Sequence, residues 1–395
     1  MNNNETNNII QLNKNEFYMC SKEEMIDRET NHQLSIFEIN TNINYHNNNC
    51  KLWKADPTKI IKAYYRINSS SNNNYPIRSV NTLIQTLNYI LNNIIDSKNK
   101  FISGNKVTYA DIFLFVNDRF KSIRQDFTLL NNIQNYSPNE LELYEKSLKI
   151  MIRYYIISLN QSLSSPLING PQGLYQLILP QINSMLINLK ECFMISQQTI
   201  QINNDDYDEF YSYFLLVSLY LNSLDFYTTL SHISQFNLHE HPKLHFTLKV
   251  CQCILSKNWK IFFNLIKTSP EVDYITSCLL VIYFPIIRIE ALRYICYGFS
   301  NEITHYKISL DNLANMLLFN SIESLYDFLI WFGLDKNIKN ENTTHNISLC
   351  KYYIHNVQHN LLTVPKETCV FIENKRTLKT VKEEIIKNIN INDIK

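Results

Sequence analysis

The chain has 395 residues, enough for about two or three domains with a sizeable core. Five glycines and ten prolines disfavour glycine-rich phosphate loops, dinucleotide-binding turns and turn-rich β folds, and 45% hydrophobic residues predict that most of the chain folds. With 37 basic and 36 acidic residues, no global charge attracts the chain to nucleic acid or membrane. We therefore expect a mainly α-helical, soluble protein.

The N-terminal region shows little periodicity. Residues 1–15 are rich in asparagine and predict a disordered tail. Residues 16–75 combine short charged and aromatic segments, which favour an extended or irregular arm around a helical body. We place the boundary of this arm in the polar stretch that ends near residue 75.

Residues 76–300 have the spacing of amphipathic helices. The clearest apolar stripe consists of Ile112, Phe113, Val116, Phe120, Ile123, Phe127 and Leu130. Further helices are predicted at 139–160, 174–193, 207–232, 244–267 and 271–299. Short polar breaks separate several of them, so we expect stacked helical hairpins. The most apolar run, 274–287, is shorter than the roughly 18–20 residues of a membrane span, and no membrane association is predicted.

The C-terminal part predicts a small winged-helix subdomain at 301–376. Ser309 and Ser321 are placed to cap two short helices, and Gly333 stands where a helix-ending glycine belongs. Strand-like segments follow at 347–353 and 369–372. Two helices followed by a strand pair are the order of a winged helix. Residues 377–395 predict a polar tail, as a helix or as an unfolded segment.

No catalytic or cofactor-binding pattern is present. The strongest metal candidate is a cluster of three histidines and two cysteines, namely His239, His241, His245, Cys251 and Cys253. Pro242 predicts a helix start there, and a tight cysteine pair is absent. We therefore interpret the cluster as a helix start followed by two buried thiols. No metal, cofactor or small-molecule substrate is predicted, and the nine cysteines indicate free thiols in a reducing compartment.

Two basic segments could bind a ligand. Arg119, Lys121 and Arg124 alternate with acidic residues along the stripe helix. They pair with neighbouring helices or contact a phosphate backbone or acidic partner, and both interpretations stay open. The second segment contains Lys366, Lys375 and Arg376 among several glutamates, which favours a solvated surface as much as a nucleic-acid contact.

Several blocks, in order, resemble the Sac-three/GANP family over roughly residues 17–376. The first runs from Met19 to Arg28 with Phe37-Glu38, the second from Asp56 to Arg66, and the most specific from Asp118 to Thr128. The matching positions, with a structural role in the family motif, are Cys20, Asp56, Pro57, Lys62, Asp118, Asp126 and Phe127. The chain differs from the usual pattern at Phe120-Lys121, where the family shows a Thr-Arg pair, and at Leu130.

The resemblance implies a PCI-type helical domain that ends in a winged helix and has no enzymatic activity. It implies pairing with the winged helix of a second PCI protein, braced by a small acidic protein. It also implies RNA binding during messenger-RNA processing and export in the nucleus, in a TREX-two-like assembly. Short family members are also associated with centrosome duplication and the mitotic spindle, so a centrosomal or cytoplasmic location is the alternative. The block from Asp118 to Asp126 argues against a subunit of another PCI assembly.

Overall fold

The computed structural model describes residues 18–40, 53–66, 75–98, 100–102, 105–130, 133–161, 173–197, 204–235, 238–299, 306–331, 338–341, 344–349 and short pieces from 375 to 389. The described chain is mainly helical, as predicted. It divides into two compact units, the first spanning Met1–Leu143 with Ile391–Lys395 and the second Tyr144–Asn390. The boundaries proposed from the sequence at 75, 300 and 376 stay predictions.

Unit 1 contains three helices, a short hairpin and the start of a fourth helix within its described residues. The elements are α1 (Lys22–Thr30), α2 (Val80–Asn93), β1 (Phe101–Ile102), β2 (Asn105–Lys106), α3 (Tyr109–Leu130) and α4 (Pro138–Gln161), which continues into unit 2. Helix α1 begins because Ser21 accepts a hydrogen bond from the Glu24 backbone at 3.2 Å. This helix lies inside the arm that the sequence predicted to be extended or irregular.

The core of unit 1 follows the predicted apolar stripe of α3. Its most deeply buried members, each at most 3% exposed, are Ile112, Phe113, Val116, Phe120, Ile123 and Phe127. Helix α2 packs against α3 through a second buried stripe that includes Leu83, Leu87 and Ile90. The 3.6-residue period therefore located the inner face of α3 correctly.

Unit 2 continues with helices that pack on their neighbours. They are α5 (Gly173–Gln197), α6 (Asn204–Tyr220), α7 (Asp225–Ile233), α8 (Pro242–Leu255), α9 (Trp259–Thr268), α10 (Tyr274–Leu280) and α11 (Phe284–Phe299). Helix α6 packs against α5, α7 and α8, and α9 packs against both α8 and α11. The segments predicted as single helices at 207–232 and 244–267 are each two helices.

The helix pair α10–α11 forms an apolar stretch, Tyr274–Ile295, that is the one described segment long and apolar enough to cross a membrane. The sequence analysis ended this run at residue 287, but the helical path continues beyond it. Within the window, 83% of the residues are buried inside the protein. The core helix of a folded domain has the same length and composition, so these two properties are weak evidence for a membrane span.

The last part of unit 2 holds a small mixed subdomain. Its elements are β3 (Tyr306–Ser309), α12 (Leu310–Met316), α13 (Ile322–Trp331), β4 (Ile338–Glu341) and β5 (Thr344–Leu349). The strands are antiparallel in the order β3-β5-β4, with Ile347 opposite both Ile308 and Ile338. Ser309 and Ser321 cap the helices as predicted. The predicted strand at 369–372 and Gly333 lie outside the described residues.

A final helix, α14 (Val381–Ile386), lies in the segment predicted to be a polar tail. Thr380 and Glu383 form a reciprocal capping box at its start. Ile385 is fully buried and Glu384 is 2% exposed. At least this part of the tail is therefore folded against unit 2.

Candidate functional site

Three of the family-motif residues, Lys62, Asp118 and Asp126, belong to a set of mostly buried ion pairs in unit 1, which we call the charge network. It joins α1, the two irregular segments that follow it, the approach to α2, and α3. Its four cations and four carboxylates are Arg28, Lys62, Arg78, Arg119, Glu24, Glu38, Asp118 and Asp126. All except Asp118 have side chains less than 10% exposed.

Glu38 is the centre of one half of the charge network. Its carboxylate accepts hydrogen bonds from the guanidinium groups of Arg28 and Arg119, with the Arg119 Nη2–Glu38 Oε1 distance at 2.8 Å. The backbone N–H of Ile61 also donates to it at 3.1 Å. Burial by itself would raise the pKa of Glu38, but Arg119 and Arg28 more than offset it and the net pKa is lowered. Glu38 is therefore ionised, and its negative charge compensates the buried positive charges of Arg28 and Arg119.

Asp126 is the centre of the other half. Lys62 Nζ approaches Asp126 Oδ1 at 2.8 Å, and Arg78 Nε approaches Asp126 Oδ2 at 2.7 Å. Arg78 also donates to Ser122 Oγ at 2.8 Å, one turn earlier on α3. These contacts fix the segment before α2 and the segment around residue 62 on the same stretch of α3.

The carboxylates of the charge network also bind the backbone of the extended segment at residues 61–64. Ile61 N donates to Glu38, Ala63 N to Glu24 at 2.7 Å, and Tyr64 N to Asp118 at 3.2 Å. A segment outside any helix or sheet needs such partners for its backbone groups. Three carboxylates distant in sequence therefore bind the backbone of one irregular segment.

Glu24 differs electrostatically from Glu38. Arg28 Nη1 lies 3.8 Å from Glu24 Oε1, a longer separation than the Arg119–Glu38 contact. Burial is the largest influence and raises the pKa of Glu24. Burial and the nearby Glu24 carboxylate also raise the pKa of the Cys20 thiol, which keeps it protonated.

The remaining motif residues are structural too. Asp56 Oδ1 accepts from the Thr58 backbone at 3.0 Å and the Thr58 hydroxyl at 2.6 Å, closing the turn that contains Pro57. Phe127 is 1% exposed, and its carbonyl accepts from the Tyr136 hydroxyl at 2.6 Å. Asp56 and Phe127 thus make hydrogen bonds within unit 1.

The candidate RNA contacts on α3 lie in different environments. Arg119 is 5% exposed and paired with Glu38 and Asp118. Lys121 and Arg124 are half-buried. Burial lowers the pKa of Lys121, and Arg124 and Arg66 lower it further against the effect of Asp118. Lys121, Arg124 and Arg66 are therefore close together near the surface of unit 1.

The second set of candidate contacts is described only in part. Lys375 and Arg376 are half-buried, and the Arg376 guanidinium lies 5.7 Å from the ring centre of Tyr274. Lys366 lies outside the described residues. Whether these side chains contact RNA stays a prediction.

The acidic start of α6 is more than a complement to the helix dipole. Asp206 pairs with Lys149 at 2.7 Å, and Glu209 binds Arg153 with both oxygens at 2.6 and 2.7 Å. Asp208 accepts from the backbone N–H groups of Lys243 and Leu244 and so caps α8. The sequence analysis missed these roles.

Arg153 also binds the C-terminal helix. Its Nη1 donates to the carbonyl of Ile385 at 3.1 Å and to that of Lys387 at 2.6 Å, which satisfies the end of α14. Arg153 is 1% exposed. A buried arginine within an apolar helix is the signal that could have indicated a distant acceptor.

The histidine and cysteine cluster consists of a helix start followed by two buried thiols, as the sequence predicted. His241 precedes Pro242, the first residue of α8. Cys251 and Cys253 are buried, and burial raises the pKa of Cys251 to about 12. Among the described residues, no three His, Cys, Asp or Glu side chains are grouped so that they could hold a metal ion.

The sequence matches the SAC3/GANP family over residues 19–337. The chain belongs to the SAC3/GANP family. The matched region contains the whole charge network. This SAC3/GANP chain is also 23% identical over 354 residues to "SAC3 family protein 1" of Schizosaccharomyces pombe. That alignment covers 85% of this chain and 31% of the fission-yeast protein.

Proposed function

We propose that this chain is a non-enzymatic scaffold that pairs its C-terminal subdomain with the winged helix of a second PCI protein. A small acidic protein would brace that partner, and the assembly would bind RNA during nuclear messenger-RNA processing and export. Membership of the SAC3/GANP family supports the scaffold role. The export pathway, the partners and the nuclear location are inferred from that family membership and go beyond it.

The observation that carries the proposal is the topology of the C-terminal subdomain. Within the described part of this subdomain, a strand, two helices and a hairpin follow one another, and β3 pairs with β5. This is the arrangement expected of a winged helix at the end of a helical-hairpin stack. Small modules of this kind offer helix faces and strand edges for binding rather than a catalytic cleft.

Arg288 supports a fixed orientation between α11 and this subdomain. Its Nε donates to the Leu317 carbonyl at 3.0 Å and its Nη2 to the Leu318 carbonyl at 2.5 Å. The guanidinium also lies 3.6 Å from the ring centre of Phe319. A scaffold needs such a junction, because a subdomain that rotated freely about α11 could not hold its partner in one orientation relative to the helices.

A pull-down of the tagged chain at low salt, with and without RNase, tests the proposal by mass spectrometry. We expect a second PCI protein, a very small acidic protein and RNA-processing factors. The PCI protein should remain after RNase treatment, since the contact is between proteins. Tubulin and centrosomal proteins, unchanged by RNase, would instead support the spindle-associated role and contradict the export role.

A further inference from the structure

Helix α13 has two faces of different chemistry. Leu325, Phe328 and Leu329 are at most 1% exposed and form its inner face. The residues exposed at i, i+3, i+4 and i+7, which we call the α13 outer face, are Glu323, Tyr326, Asp327 and Ile330. Tyr326 is 39% exposed and Ile330 is 46% exposed. Two large apolar side chains therefore stand one turn apart in solvent.

The charged residues of α12 and α13 and of the turn between them have one sign. From residue 308 to residue 331 the chain contains three acidic residues and no lysine, arginine or histidine. Glu323 and Asp327 lie one turn apart on the outer face itself. A hydrogen bond to the Glu323 backbone and another to Ser321 lower the pKa of Glu323, so this carboxyl is ionised at neutral pH.

Such a face is unsuited to a nucleic acid. In helix-turn-helix units, the second helix is the one that reads the groove, and its contacts to phosphate come mainly from basic and amide side chains. Helix α13 is the second helix of this subdomain, but its outer face offers two carboxylates and two apolar groups. The carboxylates repel phosphate, and the apolar groups gain nothing from a charged backbone.

We propose that the α13 outer face is a docking site for a protein whose apolar cleft is flanked by lysine or arginine. Tyr326 and Ile330 would enter the cleft, and Glu323 and Asp327 would pair with the basic rim. Aromatic anchors with a charged border are typical of protein interfaces. This inference rests on the proposed scaffold role and assigns RNA binding to surfaces other than α13.

Photocrosslinking of the full chain tests the surface directly. The variant Tyr326→p-benzoylphenylalanine is expressed in the cells of the source organism, and crosslinked peptides are identified by mass spectrometry. Tyr227→p-benzoylphenylalanine is the matched control, because Tyr227 is a 67% exposed tyrosine on α7. We expect one protein crosslinked at position 326, through a peptide with apolar residues beside lysine or arginine. Adding Asp327→Lys should weaken this crosslink about tenfold at an unchanged melting temperature.

A second measurement separates protein binding from RNA binding. Tyr326→Ser/Ile330→Ser should leave the affinity for a fluorescein-labelled oligouridine unchanged, as measured by anisotropy. Weaker oligouridine binding, a crosslink to RNA or to a second copy of this chain, or no crosslink above the Tyr227 control would overturn the inference. A crosslinked protein without a winged helix would keep the docking site and overturn the proposed PCI partner.

Discussion

The variant Glu38→Gln is the sharpest perturbation of the charge network. Glu38 is 0% exposed and is shared by Arg28 and Arg119, both also buried. Glutamine keeps the volume but removes the charge and places an amide donor opposite a guanidinium. Removing one partner of a buried ion pair costs about 3–5 kcal/mol, because the remaining charge stays in a poorly solvated site. We expect the free energy of unfolding of unit 1 to fall by that amount.

Urea unfolding followed by tryptophan fluorescence measures this loss. Trp53 is the one tryptophan of unit 1 and packs against the cluster of Cys20, Leu34, Ile39, Ala55 and Ile60. A background of Trp259→Phe and Trp331→Phe leaves it as the reporter. The control is Glu23→Gln, an exposed position of α1, which should change stability by less than about 0.5 kcal/mol. Equal effects of the two variants would refute the reasoning.

Three further predictions use urea unfolding followed by tryptophan fluorescence in the chain that keeps Trp53, Trp259 and Trp331. Leu329→Asp buries an unpaired charge at a 0% exposed position, so Trp331 fluorescence should report loss of the C-terminal subdomain, and a native-like spectrum would contradict this. Lys243 lowers the pKa of Asp273 to about 2 against the effect of burial. The pair therefore contributes its full stabilisation of unit 2 above the unfolded-state pKa near 4. This contribution is lost as the pH falls through the folded-state pKa of about 2. Asp273→Asn should therefore be less stable than wild type at pH 7, and the difference should disappear only below about pH 2, whereas a constant difference would exclude the linkage. His32→Gly should stabilise unit 1 by up to about 1 kcal/mol, because His32 has a φ of 55°, and a loss as large as that of Asn31→Gly would argue against backbone strain.

The helix ends show why the sequence predicted the helices better than their breaks. The segments at 207–232 and 244–267 are interrupted at Asn222 and Lys257, which have φ values of 50° and 57°. Both helices end in the same way, with Ser223 N bonded to Ser218 O and Asn258 N to Cys253 O. Such ends are normally marked by glycine. Here a chain with few glycines uses an asparagine and a lysine, and only the asparagine is a recognised signal for a helix end.

The charge network could be predicted only as separate motifs. The blocks around Cys20, Asp56 and Asp118 were recognised in order, and the pairing of Arg119 with other elements was one of the two interpretations. The pairing scheme needs the fold, because Glu38 and Arg119 are 81 residues apart and Lys62 and Asp126 are 64 apart. Arg78 was missed altogether, because it lies outside every block that the sequence singled out.

The central claim is that the motif residues of α3 hold unit 1 together rather than bind RNA. It is tested most directly by measuring both properties on Arg119→Ala, with Lys121→Ala as the half-buried control on the same helix. We predict that Arg119→Ala lowers the melting temperature of the chain, while the affinity of the folded fraction for oligouridine stays unchanged. A melting temperature equal to that of wild type together with about tenfold weaker oligouridine binding, a loss of about 1.4 kcal/mol, would contradict the account.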